Sequence, residues 1–261
     1  MIPVLGIPIL NRGDLLLRLF NSIDYPVHTL HIIANTTTNT LDDSVDAAIK
    51  EMRAAVKQGH LVKHCIIENG ALYTPDWQLI TRNMGVSGSW NKILINYADQ
   101  DYVLIVGSDV LFTAGDLEKF DTYIRAITDR TNVGVIVGNQ SYNCFGLLPE
   151  TVKQVGYFDE NIYPAYLEDC DYEWRSHQVG LSYQEVPDTH LIHGEAPSWG
   201  SSTIGSNPTY SVKNGTTHGQ NFVYYRKKWG GDNGHEKFNR PFNDSTNPVT
   251  YWARPAQLLL W

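Results

Sequence analysis

Short apolar segments alternate with helix-type segments over residues 1–110, and this alternation constrains the fold more than any other feature of the chain. The apolar segments are typical of buried strands, because parallel strands are covered on both faces. Between them, apolar residues recur every three or four positions, as on one face of a helix. Strand and helix in this order predict an α/β fold with a mainly parallel, Rossmann-like sheet flanked by helices. We expect strands near 1–10, 30–34, 61–67 and 101–106, and helices around 15–23, 45–56 and 93–97.

Later segments continue this alternation of strands and helices, and the amino-acid composition then changes. Residues 133–137 and 181–186 are predicted strands, and 149–155 a short helix. Residues 197–217 are rich in Ser, Gly, Asn and Thr, and we predict a substrate-covering loop there, because long loops are usually functional. We expect one catalytic domain over 1–230, with a nucleotide half (1–110) and an acceptor half (111–230), and an extension over 231–261.

Composition narrows the function classes. A net charge of −8 disfavours a protein that holds nucleic acid chiefly through phosphate contacts. Three widely spaced cysteines indicate neither a disulfide framework nor a zinc site of paired thiolates. The apolar amino terminus lacks the basic region of a signal peptide, and we expect no transmembrane segment and a cytoplasmic protein, with peripheral membrane contact left open.

Two acidic features suggest a site. The predicted strand at 101–106 ends at Gly107, Ser108 and Asp109, where a carboxylate could hold a cation or a ligand hydroxyl beyond the strand's carboxyl end. A turn-forming Asp is the alternative. Four carboxylates then fall within residues 168–173 and suggest acid/base chemistry, although acids in the first turn of a helix also favour its dipole.

Two longer motifs, at the expected separation, resemble the GT-A glycosyltransferases, in particular inverting, rhamnosyltransferase-like members of glycosyltransferase family 2. The first joins 146–160 to 168–175, which is similar to the family's acceptor-side "V-G-x-F-D-E" and "E-D-x-D-x-x-x-R" pattern. The second joins the Gly-containing segment 83–91 to 102–110, which is similar to the family's donor loop and metal-binding strand end.

The resemblance implies a glycosyltransferase that moves a sugar from a nucleoside-diphosphate-sugar to an acceptor hydroxyl. Asp109 matches the last acid of the family's D-x-D motif and His193 a metal-completing histidine, so Mn²⁺ or Mg²⁺ is the expected cofactor. The first acid of that motif is replaced by Gly107. Asp169 matches the catalytic base of an inverting displacement, and neighbouring Glu168 would raise its proton affinity.

The resemblance also implies the binding residues. Those expected to contact the donor are Pro8, Leu10, Asn11, Arg12, Asn35, Gly85, Trp90, Ser108 and Asp109, with Trp90 equally consistent with a core position. Those expected to contact the acceptor are Tyr166, Asp171 and Trp199. Arg175 and Lys92 are further candidates for the diphosphate, each equally consistent with a structural role.

Three functions follow from these observations. The first is the metal-dependent inverting transferase, acting on a glycan or another hydroxyl-bearing acceptor, with a nucleic-acid base left open as acceptor. The second is a nucleotidyltransferase on a similar sheet, which needs a second metal-binding acid and a basic loop. The third is a carbohydrate-binding protein that has lost catalysis. Donor sugar, nucleotide base and oligomeric state do not follow from the sequence.

Overall fold

A central sheet carries the site-forming loops of this chain. We describe it from a computed structural model that covers residues 1–38, 40–73, 76–195 and 208–251. The strands are β1 (Ile2–Ile9), β2 (Val27–Ala34), β3 (Val62–Asn69), β4 (Leu72–Tyr73), β5 (Leu79–Thr81), β6 (Val103–Val106), β7 (Val110–Leu111), β8 (Val133–Gly138), β9 (Ser141–Leu147), β10 (Ser182–Glu185) and β11 (Ile192–His193). The helices are α1 (Gly13–Asn21), α2 (Asp43–Lys57), α3 (Gly85–Asn96), α4 (Asp116–Ala126), α5 (Pro149–Val155), α6 (Glu168–Gln178) and α7 (Pro208–Trp229).

The strand order of the main sheet is β10-β8-β9-β6-β1-β2-β3. Its pairings are parallel except for those of β9, which runs antiparallel to both β6 and β8. The mainly parallel α/β sheet predicted from the sequence is therefore confirmed. Because β9 is reversed, its first residues lie at the same edge as the last residues of β1, β2 and β6. This shared edge, the carboxyl edge below, is where ligands bind in such sheets.

Helices cover both faces of the sheet. On one face, α1, α2 and α4 bury apolar side chains against the strands, among them Leu16, Phe20, Ile49 and Phe120. On the other face, α3, α5 and α6 contribute Ile93, Val155 and Tyr172 to a second cluster. The strands between the two layers are almost continuously buried, which explains their unbroken apolar sequences.

Local chemistry corrects two details of the sequence prediction. The segment 83–91 is not a loop leading into a helix, since α3 already begins at Gly85. The predicted loop at 197–217 becomes helical at Pro208, and its part up to residue 207 lies outside the described residues, as does the predicted acceptor residue Trp199.

The segment after Gly230 packs back on the domain. Within 231–251 the regular structure is a short 3-10 turn at Pro241–Asn243, in keeping with the predicted absence of a long helix from this part. Tyr251 donates its backbone N–H to the carbonyl of Val155 (3.1 Å) and accepts one from Tyr157 (2.5 Å). Among the described helices, none has both the length and the apolar character that crossing a bilayer requires.

Candidate active site

The carboxyl end of β6 brings an acid and a histidine together. Strand β6 is fully buried, and Asp109 follows it with 4% of its surface exposed. Short strand β7 pairs antiparallel with β11, so that Val110 lies opposite His193. This pairing places Nε2 of His193 3.4 Å from Oδ1 of Asp109, although the two residues are distant in sequence.

The Asp109–His193 pair fits two ligands of one divalent cation. Two ligands that bind an ion at about 2.1 Å each, at a right angle, lie about 3 Å apart, close to the observed separation. A carboxylate oxygen and an imidazole nitrogen suit Mn²⁺ or Mg²⁺. Within the described residues there is no group of three or more acidic, histidine or cysteine side chains that could bind a metal. A cation held here would take its other ligands from water or from a bound substrate.

Arg18 braces this pair and was missed by the sequence analysis. Its Nη2 donates to the backbone carbonyls of Asp109 (2.9 Å) and of Gly194 (3.0 Å), the residue that follows His193. Its buried Nε has no hydrogen-bond partner within the described structure. In the sequence, Arg18 is an arginine on a leucine-rich helix. That pattern does not distinguish an arginine that bonds backbone carbonyls from one exposed to solvent.

The end of β1 presents polar atoms at the same edge. Oδ1 of Asn11 is buried and lacks a hydrogen-bond partner within the described structure, so it is an acceptor available to a ligand. Arg12 has a φ of 61° and binds Asp14 (2.7 Å) and Glu195 (2.7 Å) through Nη2. These carboxylates raise the pKa of the Arg12 guanidinium, with Asp14 contributing most. Two further predicted donor residues, Pro8 and Leu10, are partly exposed beside them.

Asn35 and Gly85, both predicted to contact the donor, are engaged within the protein instead. Asn35 accepts from the backbone N–H of Met84 (2.8 Å) and donates to Oγ of Ser89 (3.0 Å), so its amide anchors the start of α3. Gly85 has a φ of +67°, and a Cβ there would lie 2.8 Å from the carbonyl oxygen of Pro164. The glycine therefore admits another segment of the chain, whereas the sequence analysis expected it to admit a ligand.

Trp90 is a core residue, which corrects its assignment to the donor site. Only 7% of its surface is exposed. Its ring packs against those of Phe145 and Phe158, with centroids 4.9 and 4.8 Å apart. Because the Trp90 ring packs against these two rings in the core, it is not available to contact a ligand.

The first turn of α6 holds the predicted catalytic pair. Asp169 is half-buried and accepts the backbone N–H of Cys170 (2.8 Å). Glu168 is 7% exposed, and its buried Oε2 has no hydrogen-bond partner within the described structure. Burial, and then the charge of Asp169, raises the pKa of Glu168 to about 8. At neutral pH the Glu168 carboxyl therefore holds its proton.

Tyr142 and Asn143 link the acidic turn to the Asp109 loop. The Asn143 carbonyl accepts the backbone N–H of Gly107 (2.8 Å), two residues before Asp109. The neighbouring hydroxyl of Tyr142 is buried, and burial followed by the charges of Glu173 and Asp169 raises its pKa well above its usual value. The charges of the acidic turn therefore act on Tyr142, the neighbour of the residue that is bonded to the Asp109 loop.

Asp171 and Arg175 form a buried structural pair, which corrects the assignment of Asp171 to the acceptor and agrees with the structural alternative for Arg175. Neither exposes any surface. Asp171 accepts from Nε of Arg175 (2.8 Å), Nε1 of Trp229 (2.8 Å) and Nζ of Lys228 (2.6 Å). Both of its carboxylate oxygens are therefore bonded within the protein and are not available to an acceptor substrate. Arg175 also donates to two backbone carbonyls.

The remaining predicted residues lie elsewhere. Lys92 lies 3.1 Å from a carboxylate oxygen of Glu68. Ser108 is buried next to Asp109, and Tyr166 is half-buried three residues before Asp169.

Comparison with known proteins identifies the fold. No family model matches the chain. A galactofuranosyl glycosyltransferase from Leishmania donovani is 36% identical over 99 residues, which covers 33% of this chain and 22% of that relative, so the chain spans only about a fifth of the relative's length.

Two solved structures resemble the chain more extensively. The mannosyltransferase PcManGT from Pyrobaculum calidifontis, in complex with GDP-Man and Mn²⁺, matches 85% of this chain and 63% of its own, at a TM-score of 0.54 and 15% identity. TarS from S. aureus matches 75% of this chain and 37% of its own, at a TM-score of 0.50 and 16% identity. The GT-A glycosyltransferase fold predicted from the sequence is thereby confirmed. The narrower likeness to rhamnosyltransferase-like members stays a prediction.

Proposed function

We propose that this GT-A fold is a glycosyltransferase that uses a nucleoside-diphosphate-sugar and inverts the anomeric carbon. The observation that carries the proposal is that the Asp109–His193 pair lies beside a loop bonded to Asn143, while the charge of Asp169 acts on the adjacent Tyr142 at the start of β9. A site with a cation-binding pair on one side and a base on the other suits transfer from a diphosphate to a hydroxyl.

Asp109 and His193 would hold a divalent cation beside the donor diphosphate. PcManGT, a structural neighbour, was solved with GDP-Man and Mn²⁺. When bound, such a cation neutralises charge on the departing nucleoside diphosphate. Asn11 supplies a buried acceptor atom for a hydroxyl or amino group of the nucleotide. Arg18 fixes the backbone on both sides of the metal-binding pair.

Asp169 would remove the acceptor's hydroxyl proton. As the proton moves to Asp169, the acceptor oxygen bonds to the anomeric carbon, and the bond from that carbon to the diphosphate oxygen breaks with its electron pair. Attack from the opposite side inverts the configuration. The partial exposure of Asp169 allows an acceptor to reach it, whereas Glu168 is closed off. Because burial raises the pKa of Glu168 to about 8, Glu168 keeps its proton at neutral pH, and the role of base falls to Asp169.

The nucleotidyltransferase alternative is less well supported. It needs a second metal-binding acid, and no three-residue metal cluster exists among the described residues. It also needs a basic triphosphate loop after β1, where Arg12 already pairs with Asp14 and Glu195.

The test combines a donor panel with matched acid variants. Purified protein is incubated with Mn²⁺ and UDP-, GDP-, dTDP- or CDP-sugars, and nucleoside diphosphate release and product anomers are measured. We expect Asp169→Asn to reduce transfer by about 10²–10⁴-fold with donor binding unchanged, because it removes only the base. Asp109→Ala should abolish metal-dependent donor binding.

Asp43→Asn is the matched control, since Asp43 is an exposed acid in the first turn of α2. It should leave transfer at the wild-type rate. Near-wild-type turnover of Asp169→Asn would remove Asp169 from the base role, and a product of retained configuration would overturn the inverting mechanism.

A further inference from the structure

Three aromatic rings form a row beside the proposed base. Tyr166 precedes α6, and His218 and Phe222 lie one turn apart on α7. The ring centroids of Tyr166 and His218 are 4.7 Å apart, and those of His218 and Phe222 are 4.9 Å apart, with interplanar angles of 38° and 39°. All three residues are half-buried, so the row has a supported side and a side open to solvent.

This aromatic row is fixed to the catalytic turn by Asn221. Asn221 is 3% exposed, and its Nδ2 donates to the backbone carbonyls of Ala165 (2.9 Å) and Tyr166 (3.3 Å). Its Oδ1 accepts the backbone N–H of Tyr163 (3.3 Å). A buried amide with both ends bonded holds α7 against the segment that leads into Asp169. The row therefore moves with the base and does not belong to an independent surface.

The charges around the row select for a neutral ligand. Asp169 and Glu173 lie on the adjoining helix, and the whole chain carries a net charge of −8, so a phosphate group would be repelled. One cation contacts the row: the guanidinium carbon of Arg226 lies 5.6 Å from the centre of the Phe222 ring. Arg226 is paired with Asp232, so its charge is already balanced by a carboxylate.

Aromatic faces attract C–H groups, because the ring face carries partial negative charge. A pyranose offers such C–H groups on one face and hydroxyls around its edge. Resting on the row, it would direct a hydroxyl toward the half-exposed Asp169. A nucleobase could also stack on the rings, but its backbone would bring phosphates into the acidic surroundings.

We propose that Tyr166, His218 and Phe222 form an acceptor subsite that binds a neutral sugar ring beside Asp169. This proposal rests on the proposed glycosyltransferase function. It adds the substrate class: the acceptor is a glycan or glycoside whose reacting end is an uncharged sugar.

The test measures sugar binding separately from transfer. Methyl glycosides of glucose, galactose and mannose are probed by saturation-transfer NMR with wild-type protein and with Tyr166→Ala, His218→Ala and Phe222→Ala. We expect at least one glycoside to bind, and each substitution to weaken its binding by about three- to tenfold, the range of one aromatic contact. Where transfer to that glycoside is measurable, the KM for the glycoside should rise by the same factor.

Val223→Ala is the matched control, because Val223 is 67% exposed and adjoins Phe222 on α7. Its glycoside affinity should equal that of the wild type. Tyr166→Phe keeps the ring and should retain binding, which separates loss of stacking from misfolding. The proposal is overturned if wild-type protein binds no glycoside, if the three alanine variants bind like the wild type, or if a short oligonucleotide displaces the sugar from the rings. Sugar binding without donor binding would instead contradict the transferase function alone.

Discussion

At the scale of single residues, one guanidinium connects the two halves of the proposed metal site. Asp109 and His193 come from different strands, and no covalent constraint sets the distance between them. Arg18 binds the carbonyls of Asp109 and Gly194 through one nitrogen, which ties the two strand ends together. Groups that orient metal ligands without touching the metal typically alter metal affinity by 10–100-fold.

We predict that Arg18→Ala weakens Mn²⁺ binding by about tenfold, because it removes the two hydrogen bonds from Arg18 to the Asp109 and Gly194 carbonyls. Calorimetric titration of the protein with Mn²⁺ measures this directly, without any need for turnover. Arg53→Ala is the control, since Arg53 is an exposed arginine of α2. Unchanged Mn²⁺ affinity in Arg18→Ala, with Arg53→Ala also unchanged, would show that the brace does not set the ligand geometry.

The sequence predicted the residues with distinctive surroundings better than those defined by long-range packing. Asp109 stood out because it ends an apolar strand, and the structure brings it to His193. Trp90 and Asp171 were misassigned because a buried aromatic or acid has the same local sequence as an exposed one. Arg18 was missed because its partners are backbone carbonyls, which leave no mark on the sequence.

At the scale of elements, α7 is held to α6 by a buried charge cluster. Nζ of Lys228 lies 2.7 Å from Oδ2 of Asp159 and 2.6 Å from Oδ1 of Asp171. Arg175 supplies a second cation to Asp171, so the two acids and two bases balance. Although burial opposes ionisation of Asp159, Lys228 lowers its pKa to about 2.

We predict that Lys228→Met lowers the free energy of unfolding by about 3–5 kcal/mol, because it leaves the buried carboxylate of Asp159 without its cation. Urea denaturation measures the change. Lys227→Met at the neighbouring exposed position should change stability by no more than about 0.5 kcal/mol. Equal stability of the two variants would mean that the cluster contributes no net stabilisation.

The element order could be predicted from local patterns, but the pairing of β9 could not. Alternating apolar segments and helical periodicity located β1, β2, β3 and β6 to within a few residues. The reversal of β9 depends on the β8–β9 hairpin and on pairing with β6, a strand about forty residues earlier. Local sequence does not specify such a long-range choice of neighbour.

At the scale of the whole molecule, buried carboxyl groups set opposing pH dependences. Glu168 has a pKa of about 8 in the folded chain and an ordinary value of 4.5. The folded state therefore binds this proton more tightly, and its contribution to stability is lost as pH rises from about 4.5 to 8. Asp159 has the opposite sign: its contribution is present above its ordinary value of 3.8 and is lost as pH falls toward about 2.

We predict that Glu168→Gln removes the loss of stability that the wild type shows as pH rises toward 8. The variant should gain stability relative to the wild type steadily between pH 5 and pH 8, because glutamine has no proton to lose. Urea unfolding at several pH values in this range tests the slope. Glu51→Gln, at an exposed position on α2, should track the wild type. A difference between Glu168→Gln and the wild type that does not change with pH would show that Glu168 does not titrate in this window.

The hydrogen bonds of Asn221 to the segment before α6 affect the order in which the newly made chain can fold. Asn221 leaves the ribosome about fifty residues after Asp169, which at 5–20 residues per second is a delay of roughly 3–10 seconds. The segments that contain Asn11, Arg18 and Asp109 emerge well before it. During synthesis we therefore expect the nucleotide edge to form first, with the catalytic turn secured only when α7 arrives. A nascent chain would be able to hold a nucleotide before it could hydrolyse or transfer a sugar.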